Sequence, residues 1–249
     1  MLLNIINIRI TLPTKIFAMK KIFLLSLLCI ASLTSVNSLA QSVYSDSDLD
    51  KYISKVPIPK NNVIDLVGTP YANEEFQKGI AIKNGLTIAY NIGLRYNAHK
   101  DNFEIKKTFV LTDDQARLLK KTDEFSLKIN NNAFVFILPN ANSKAQGYFI
   151  VLHKGEQLSL YKKIKKVFIP GQKAYSSMTK PVSPTYKEKI IYYIANNEGV
   201  LTELPYSKKK KADAFSENKK ELKLFIKENK INANKEKDLI KLAEFVNTL

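Results

Sequence analysis

Between about Gly68 and Pro205, apolar side chains come in short runs rich in β-branched and aromatic residues, punctuated by Asn, Gly and Lys. Alternation with a period of two is the pattern of half-buried strands. The plainest case is Ile80 to Ile82 and Leu86 to Tyr90 on either side of Asn84-Gly85. An Asn-Gly pair supplies the positive φ that a two-residue type I′ turn needs at both central positions, so these runs are predicted to pair as a hairpin. Further strands are predicted over Ile92 to Tyr96, Phe103 to Lys107, Phe125 to Ile129, Ala133 to Leu138, Gly147 to Leu152 and Leu158 to Tyr161, and a last hairpin joins Ile190 to Ala195 and Val200 to Leu204. Thr112 and Gln115 are spaced for a capping box, which predicts one or two helical turns over Ala116 to Leu119. Sequential hairpins with short turns imply an antiparallel meander, as a sandwich or a partly closed barrel.

The period changes after residue 205. Phe215, Leu222, Phe225 and Ile226, then Leu239, Ile240, Ala243 and Val246, recur at helical spacing, with Ser216 and Asn234 placed as N-caps. Two helices joined over Asn229 to Ala233 cannot bury both apolar stripes alone, so residues 206–249 are expected to be a helical hairpin docked on the β-domain. Upstream, residues 41–67 are rich in Ser and Asp, then hold Pro57, Pro59, Asn61 and Asn62, and read as a linker with one amphipathic turn around Leu49 to Ile53. The expected fold is α+β, mainly antiparallel β: a linker, a β-domain over 68–205 and the helical hairpin.

The N-terminus changes where this fold is expected to work. Met19-Lys20-Lys21 precedes the apolar run Ile22 to Ile30 and then Ala31 to Ala40, ending Ser38-Leu39-Ala40 before Gln41. Basic region, apolar region and small-residue site in that order predict a signal peptide over residues 1–40, with Met19 a candidate start. The unbroken apolar run is about half the roughly 20 residues that a spanning helix needs. Export to the periplasm or beyond follows, with no transmembrane segment after cleavage. The single cysteine, Cys29, falls inside the predicted peptide, so the mature chain would have no disulfide, thiolate nucleophile or cysteine metal site.

The chain carries 39 Lys+Arg against 23 Asp+Glu, a net +16. Arg9, Arg95 and Arg117 are its only arginines, and the abundant Lys, Asn and Ile share A/T-rich codons. A protein built to grip phosphates specifically would use the planar guanidinium fork, so specific nucleic-acid recognition is not expected. The charge is nonetheless local. Residues 144–211 hold 14 lysines against 4 glutamates, whereas 41–143 and 212–249 are nearly neutral. Two clusters stand out: Lys162, Lys163, Lys165 and Lys166 after the strand ending at Tyr161, and Lys208, Lys209, Lys210 and Lys211 after the last hairpin. Both are expected to close a hairpin and to offer a site for an anionic partner, an envelope polymer or an acidic protein. Lysines also guard sheet edges, and a run of like charges also serves as a solvated junction.

Candidate chemistry is sparse. His99 and Asp101 lie two apart in a polar loop and invite a base-and-orienter reading, but no Gly-x-Ser-x-Gly elbow supplies a nucleophile. His153 reads as a strand-end residue. No His-x-x-His, His-Glu-x-x-His or calcium-loop motif occurs, and Asp46, Asp48 and Asp50 lack the glycine and closing glutamate of one. The adjacent pairs Glu74-Glu75 and Asp113-Asp114 do not by themselves make a glycosidase pair. Among the aromatics, Tyr71, Tyr96 and Tyr175 lie near predicted loops, but without tryptophan the usual sugar-stacking platform is missing.

Several phrases are informative in combination: Gly68-Thr-Pro-Tyr-Ala-Asn-Glu-Glu-Phe76, Leu94-Arg-Tyr-Asn-Ala98, Gly147-Tyr-Phe149 with Leu152 and Gly155, Asn229-Lys-Ile231, and Asp238 to Phe245. Over about residues 68–249 the chain resembles a family of small exported bacterial envelope proteins without assigned activity. The resemblance implies an exported β-rich domain with a Lys-rich helical tail and transfers no catalytic residue. In similar chains the position of His99 is more often tyrosine, which sets the resemblance against an essential His99. The resulting expectation is a non-enzymatic exported binding or structural module of the cell envelope, without cofactor or metal. The alternative is a hydrolase-like enzyme using the polar loop around His99 and Asp101.

Overall fold

The alternating runs become strands of a single antiparallel sheet in the computed structural model, which describes residues 47–59, 66–139, 143, 145–176, 178 and 180–249. The predicted signal peptide and residues 41–46 and 60–65 of the predicted linker lie outside them. Residues 45–249 form one compact unit. In chain order the strands are β1 (Ile53–Pro57), β2 (Gln77–Lys83), β3 (Leu86–Asn97), β4 (Asn102–Lys106), β5 (Arg117–Leu119), β6 (Ser126–Ile129), β7 (Asn132–Ile137), β8 (Gly147–His153), β9 (Leu158–Ile169), β10 (Thr185–Asn196) and β11 (Leu201–Glu203). They lie in the order β1-β5-β4-β3-β2-β6-β7-β8-β9-β10-β11. The sheet is open, and its edges are the short strands β1, which ends at Pro57, and β11; shortness and proline both discourage edge-to-edge pairing.

Two meanders, β2 to β5 and β6 to β11, join where β6 returns to pair with β2. The β2–β3 turn is Asn84-Gly85, with φ of 51° and 77°, as the Asn-Gly signature requires. One face of β2 to β8 wraps a core of Ile92, Leu94, Tyr96, Phe103, Ile105, Leu127, Phe134, Tyr148 and Ile150. The β5–β6 connection closes one end of this core, with Phe125 edge-on to Tyr52 at 5.0 Å. A second cluster of Phe149, Ile191, Tyr193, Ala195 and Leu201 lies on the opposite face of β8 to β11.

Four expectations are corrected. The linker includes part of the fold, because Leu49 and Tyr52 are buried in the main core and β1 pairs with β5. The Thr112–Gln115 capping geometry forms, with Gln115 Oε1 accepting from the Thr112 backbone N–H at 3.3 Å, but it caps only a 3-10 turn at Asp113–Gln115. The chain is extended again at Ala116, and Arg117–Leu119 becomes a strand because β4 and β1 offer it backbone partners on both sides. Third, β9 does not stop at Tyr161; it runs through all four lysines to Ile169 and pairs with β10 over twelve registered positions. Fourth, the tail has three helices, α1 (Lys208–Asp213), α2 (Lys219–Glu228) and α3 (Glu236–Val246). Lys208 to Lys211 open α1, a helix not expected ahead of the hairpin, and the N-caps fall at Asn218 and Lys235 instead of Ser216 and Asn234.

The helices dock on the sheet. Leu222, Leu239, Leu242 and Val246 bury against Leu158 and Leu160 of β9. Asn247, just past α3, fastens the contact to the β8–β9 turn: its Oδ1 accepts from the Gln157 and Leu158 N–H groups at 2.9 and 3.1 Å, and its Nδ2 donates to the Leu158 and Ala243 carbonyls, each at 2.8 Å. A Cβ on Gly155 would fall on the Asn247 side chain, which explains a glycine at a position of ordinary φ.

Candidate functional site

Because β9 continues as a strand, its lysines alternate between two faces, and their partners on β10 decide what each does. On one face Lys162 stands opposite Tyr192, and Lys166 opposite Glu188. Lys162 reaches Glu236 of α3 at 2.9 Å, and Tyr192 OH donates to the same carboxylate at 3.1 Å, so this pair helps to hold the helical tail. Burial and the Glu236 charge raise the Tyr192 pKa to about 12. Lys166 pairs with Glu188 at 2.9 Å. This face is therefore neutralised.

The other face carries Lys163 and Lys165 on β9 and Lys187 and Lys189 on β10. Lys163 is buried, and its Nζ uses all three N–H donors: to Asp101 Oδ2 at 3.0 Å and to the Gln146 and Tyr148 carbonyls at 3.0 and 3.2 Å. Burial pushes its pKa down against the opposing pull of Asp101. Asp101, at the β3–β4 turn with φ of 52°, also accepts from Tyr96 OH at 2.6 Å and Tyr148 N–H at 3.2 Å. Desolvation and this negative charge push the Tyr96 phenol well above its ordinary range. Lys163 thus clips the β3–β4 turn onto β8 and β9 and is not available to a partner. Two residues on, Lys165 is exposed and lies directly opposite exposed Lys189, with exposed Lys187 next along the same face. None of these three has an ion pair among the described residues. Like charges directly opposite on a sheet destabilise it, so the fold tolerates an unfavourable contact here. A cleft of about 580 Å³ opens at the foot of this face, between the β3–β4 turn and the start of β8, and Lys163 and Lys165 both line it.

The sequence-based site residues are thus divided. Of the β9 cluster, Lys162, Lys163 and Lys166 are engaged in ion pairs and Lys165 is not. In α1, Lys208, Lys209 and Lys210 are exposed, while Lys211 lies 6.0 Å from the centre of the Tyr192 ring. Lys187 and Lys189 escaped sequence reasoning because β10 was expected to begin only at Ile190. The signal that reveals them is the register with Lys165.

His99 and Asp101 do not form a dyad. His99 Nδ1 sits 3.0 Å from the Lys166 carbonyl and its ring meets Tyr186 edge-on, whereas Asp101 points to Lys163 and Tyr96. Together with the Ala98 carbonyl, which accepts from Lys166 N–H, His99 ties the β3–β4 turn to the middle of β9. Among the described residues no serine lines either cleft that His99 borders. His153 Nε2 is 3.3 Å from Asn247 Nδ2, at the strand end expected of it. Among the described residues there is no group of three or more His, Cys, Asp or Glu that could hold a metal ion, and no helix is long and apolar enough to cross a membrane.

One polar cluster was not anticipated. In a cleft of about 520 Å³ the buried Glu104 accepts from Arg95 Nε and Nη2 at 3.0 and 2.7 Å and from Tyr71 OH at 2.9 Å, with the Arg95 guanidinium between the Tyr71 and Phe76 rings, 4.2 Å from each centre. Burial and Glu104 raise the Tyr71 pKa to about 12. Each member of this cluster is engaged by the others, so Glu104 is not a free base, and Tyr71 is committed to Glu104. Tyr96 is a core residue, and Tyr175 is exposed in the β9–β10 loop. The register of β3 with β4 sets Arg95 directly opposite Glu104 and is what brings the cluster together. Comparisons with protein-family models, curated proteins and solved structures find no match.

Proposed function

We propose that this chain is a non-enzymatic, exported, β-rich binding module of the cell envelope that engages an anionic partner through the exposed lysines of β9, β10 and α1. The observation that carries the reading is the unpaired row Lys165, Lys187 and Lys189, with Lys165 set directly against Lys189 while the opposite face of the same ribbon is neutralised by Glu188 and Glu236. An anionic partner relieves the repulsion that the isolated fold bears. Export rests on the N-terminal pattern of residues 19–40. The binding is tested by retention on immobilised polyphosphate. It is expected to fall steeply with salt, and the triple variant Lys165→Gln, Lys187→Gln, Lys189→Gln is expected to elute early; retention unchanged by either overturns the reading.

A further inference from the structure

The outer half of the β9–β10 ribbon has a second property that its lysines do not explain. Beyond the Lys165–Lys189 pair the strands continue to Ile169 and Thr185, and Gln172 bridges to Val182 across the hairpin end. Five side chains there are apolar and open to solvent: Val167, Phe168 and Ile169 are exposed, Val182 is 57% exposed and Met178 94%. Single exposed apolar residues are ordinary, but a group of them at one hairpin end marks a contact surface. Residues 165–190 also hold six lysines against one acid, Glu188, and that acid is occupied by Lys166.

A soluble polyanion would engage the lysines and leave the apolar end unused. A protein partner could bury the apolar end, and Phe168, Tyr175 and Met178 are residue types such interfaces favour, but their cores are depleted in lysine. The ribbon holds six lysines and no tryptophan or arginine between residues 165 and 190, which favours a surface that lysine stems can flank. Long lysine stems around exposed apolar groups are instead the composition of an element lying at a lipid surface. The spacing agrees. Ile169 is paired with Thr185, two residues from Lys187, which is about 7 Å along a strand, and interfacial elements sit roughly 5–10 Å into the headgroup boundary. Lys173 and Lys180, exposed in the hairpin loop, can extend back to the phosphates.

We propose that the end of the β9–β10 ribbon docks on an anionic phospholipid surface, with Ile169 and Val182 entering the interface, Val167 at its boundary level with Lys187, and Lys165, Lys187 and Lys189 meeting the headgroup phosphates. This rests on the reading of the lysine face as anion-binding and names its partner. The chain contains no tryptophan, so Ile169→Trp places a single reporter at the ribbon end and Leu86→Trp places one at the remote β2–β3 turn, where Leu86 is 72% exposed. Full-length protein carrying each is titrated with vesicles of phosphatidylglycerol and phosphatidylcholine, with phosphatidylcholine alone, and with dibrominated lipid. The expected result is a blue-shifted, bromine-quenched emission from the residue-169 reporter with anionic vesicles only, and an unshifted Leu86→Trp protein. Because a lysine near an anionic membrane contributes about a fivefold affinity factor, replacing Lys165, Lys187 and Lys189 by Gln is expected to weaken vesicle binding roughly a hundredfold. A water-like residue-169 reporter on anionic vesicles, with polyphosphate retention intact, overturns the lipid proposal and leaves the binding reading standing. Loss of both overturns both. An equal shift at the Leu86 reporter, which would show contact through the rest of the chain, also overturns it.

Discussion

Lys163 and Lys165 are two residues apart on one face of one strand, and the structure predicts opposite consequences for removing them. Lys163→Met deletes a side chain that is 6% exposed and leaves Asp101 Oδ2, Gln146 O and Tyr148 O without their shared donor. At 3.0 Å the Coulomb attraction between Lys163 and Asp101 is on the order of 5 kcal/mol gross at an effective dielectric constant of about 20. Desolvation offsets much of this, and removing one partner of a buried pair typically costs about 3–5 kcal/mol because the other charge is stranded. A loss of about 3 kcal/mol is expected, a large share of the roughly 5–15 kcal/mol of an ordinary domain. Lys165→Met deletes an exposed charge opposite Lys189, so stability should hold or rise by up to about 0.5 kcal/mol. Urea denaturation followed by far-UV circular dichroism checks both: with a slope near 2 kcal/mol/M, Lys163→Met should move the midpoint down by about 1.5 M and Lys165→Met should leave it in place. Adding Asp101→Asn to Lys163→Met should recover at least about 1 kcal/mol relative to additivity, since the stranded charge is gone. A Lys163→Met midpoint within experimental error of the parent, or a Lys165→Met loss of similar size, refutes the assignment of the two lysines.

Three further outcomes follow from the same contacts. Gly147→Ala should unfold the protein or lower its melting temperature severely, because Gly147 has φ of +103° and a Cβ there would fall on the Asp101 carboxylate, 2.7 Å from Lys163 Nζ; a parent-like thermal melt would contradict the clip. Asn247→Ala should cost about 2 kcal/mol by leaving the Gln157 and Leu158 N–H groups unpaired, a fall of roughly 4–8 °C in the melting temperature, and an unchanged melt would show that the tail is held otherwise. Stability should also fall as pH rises from 10 to 12, because Tyr71, Tyr192 and Tyr193 are raised from 10.0 to about 12 in the folded chain, chiefly by burial, so that the folded state binds more protons than the unfolded one in that window. Lys163, shifted down by burial, acts with the opposite sign but alone; urea midpoints that hold or increase across this range would refute the balance.

Local turn chemistry and alternation were legible in the sequence wherever nothing competed with them. The Asn84-Gly85 hairpin, the strand through Gly147 to Leu152 and the docking of a helical tail all followed from residues acting on near neighbours. The failures share a cause: partners remote in sequence override local preference. Pro57 and Pro59 read as linker, yet an edge strand needs backbone partners on one side only, and β5 supplies them. The Thr112 cap signalled a helix, but Arg117–Leu119 gains more pairing between β4 and β1 than in an isolated helical turn. Lys162 to Lys166 read as the end of a strand because five positions hold four charges, and only the tertiary structure brings Glu236 of α3, Asp101 of the β3–β4 turn and Glu188 of β10 to three of them.

That register also changes what the concentration of lysine means. A drift toward lysine codons would leave the charges without regard to face, and the surrounding acids would then be as scarce on one side of the ribbon as on the other. Instead Glu188 and Glu236 serve the face turned toward the helices, and Asp101 serves the one lysine of the opposite face that is buried. Of the six lysines on β9 and β10, Lys162, Lys163 and Lys166 each have a carboxylate, and the exposed set Lys165, Lys187 and Lys189 has none among the described residues. An acid at position 187 or 189 would neutralise this row as Glu188 neutralises the other side, and such a substitution needs no change of backbone. If the unpaired row is incidental, Lys189→Glu should be simply beneficial: a more stable ribbon with binding intact. If it exists for an anionic partner, the same substitution should stabilise the ribbon by about 0.5 kcal/mol through pairing with Lys165, and at the same time weaken salt-sensitive retention on polyphosphate. That opposition of stability and binding in a single variant separates a functional surface from a solvated one, and a Lys189→Glu protein that gains stability with binding undiminished would show the row to be incidental.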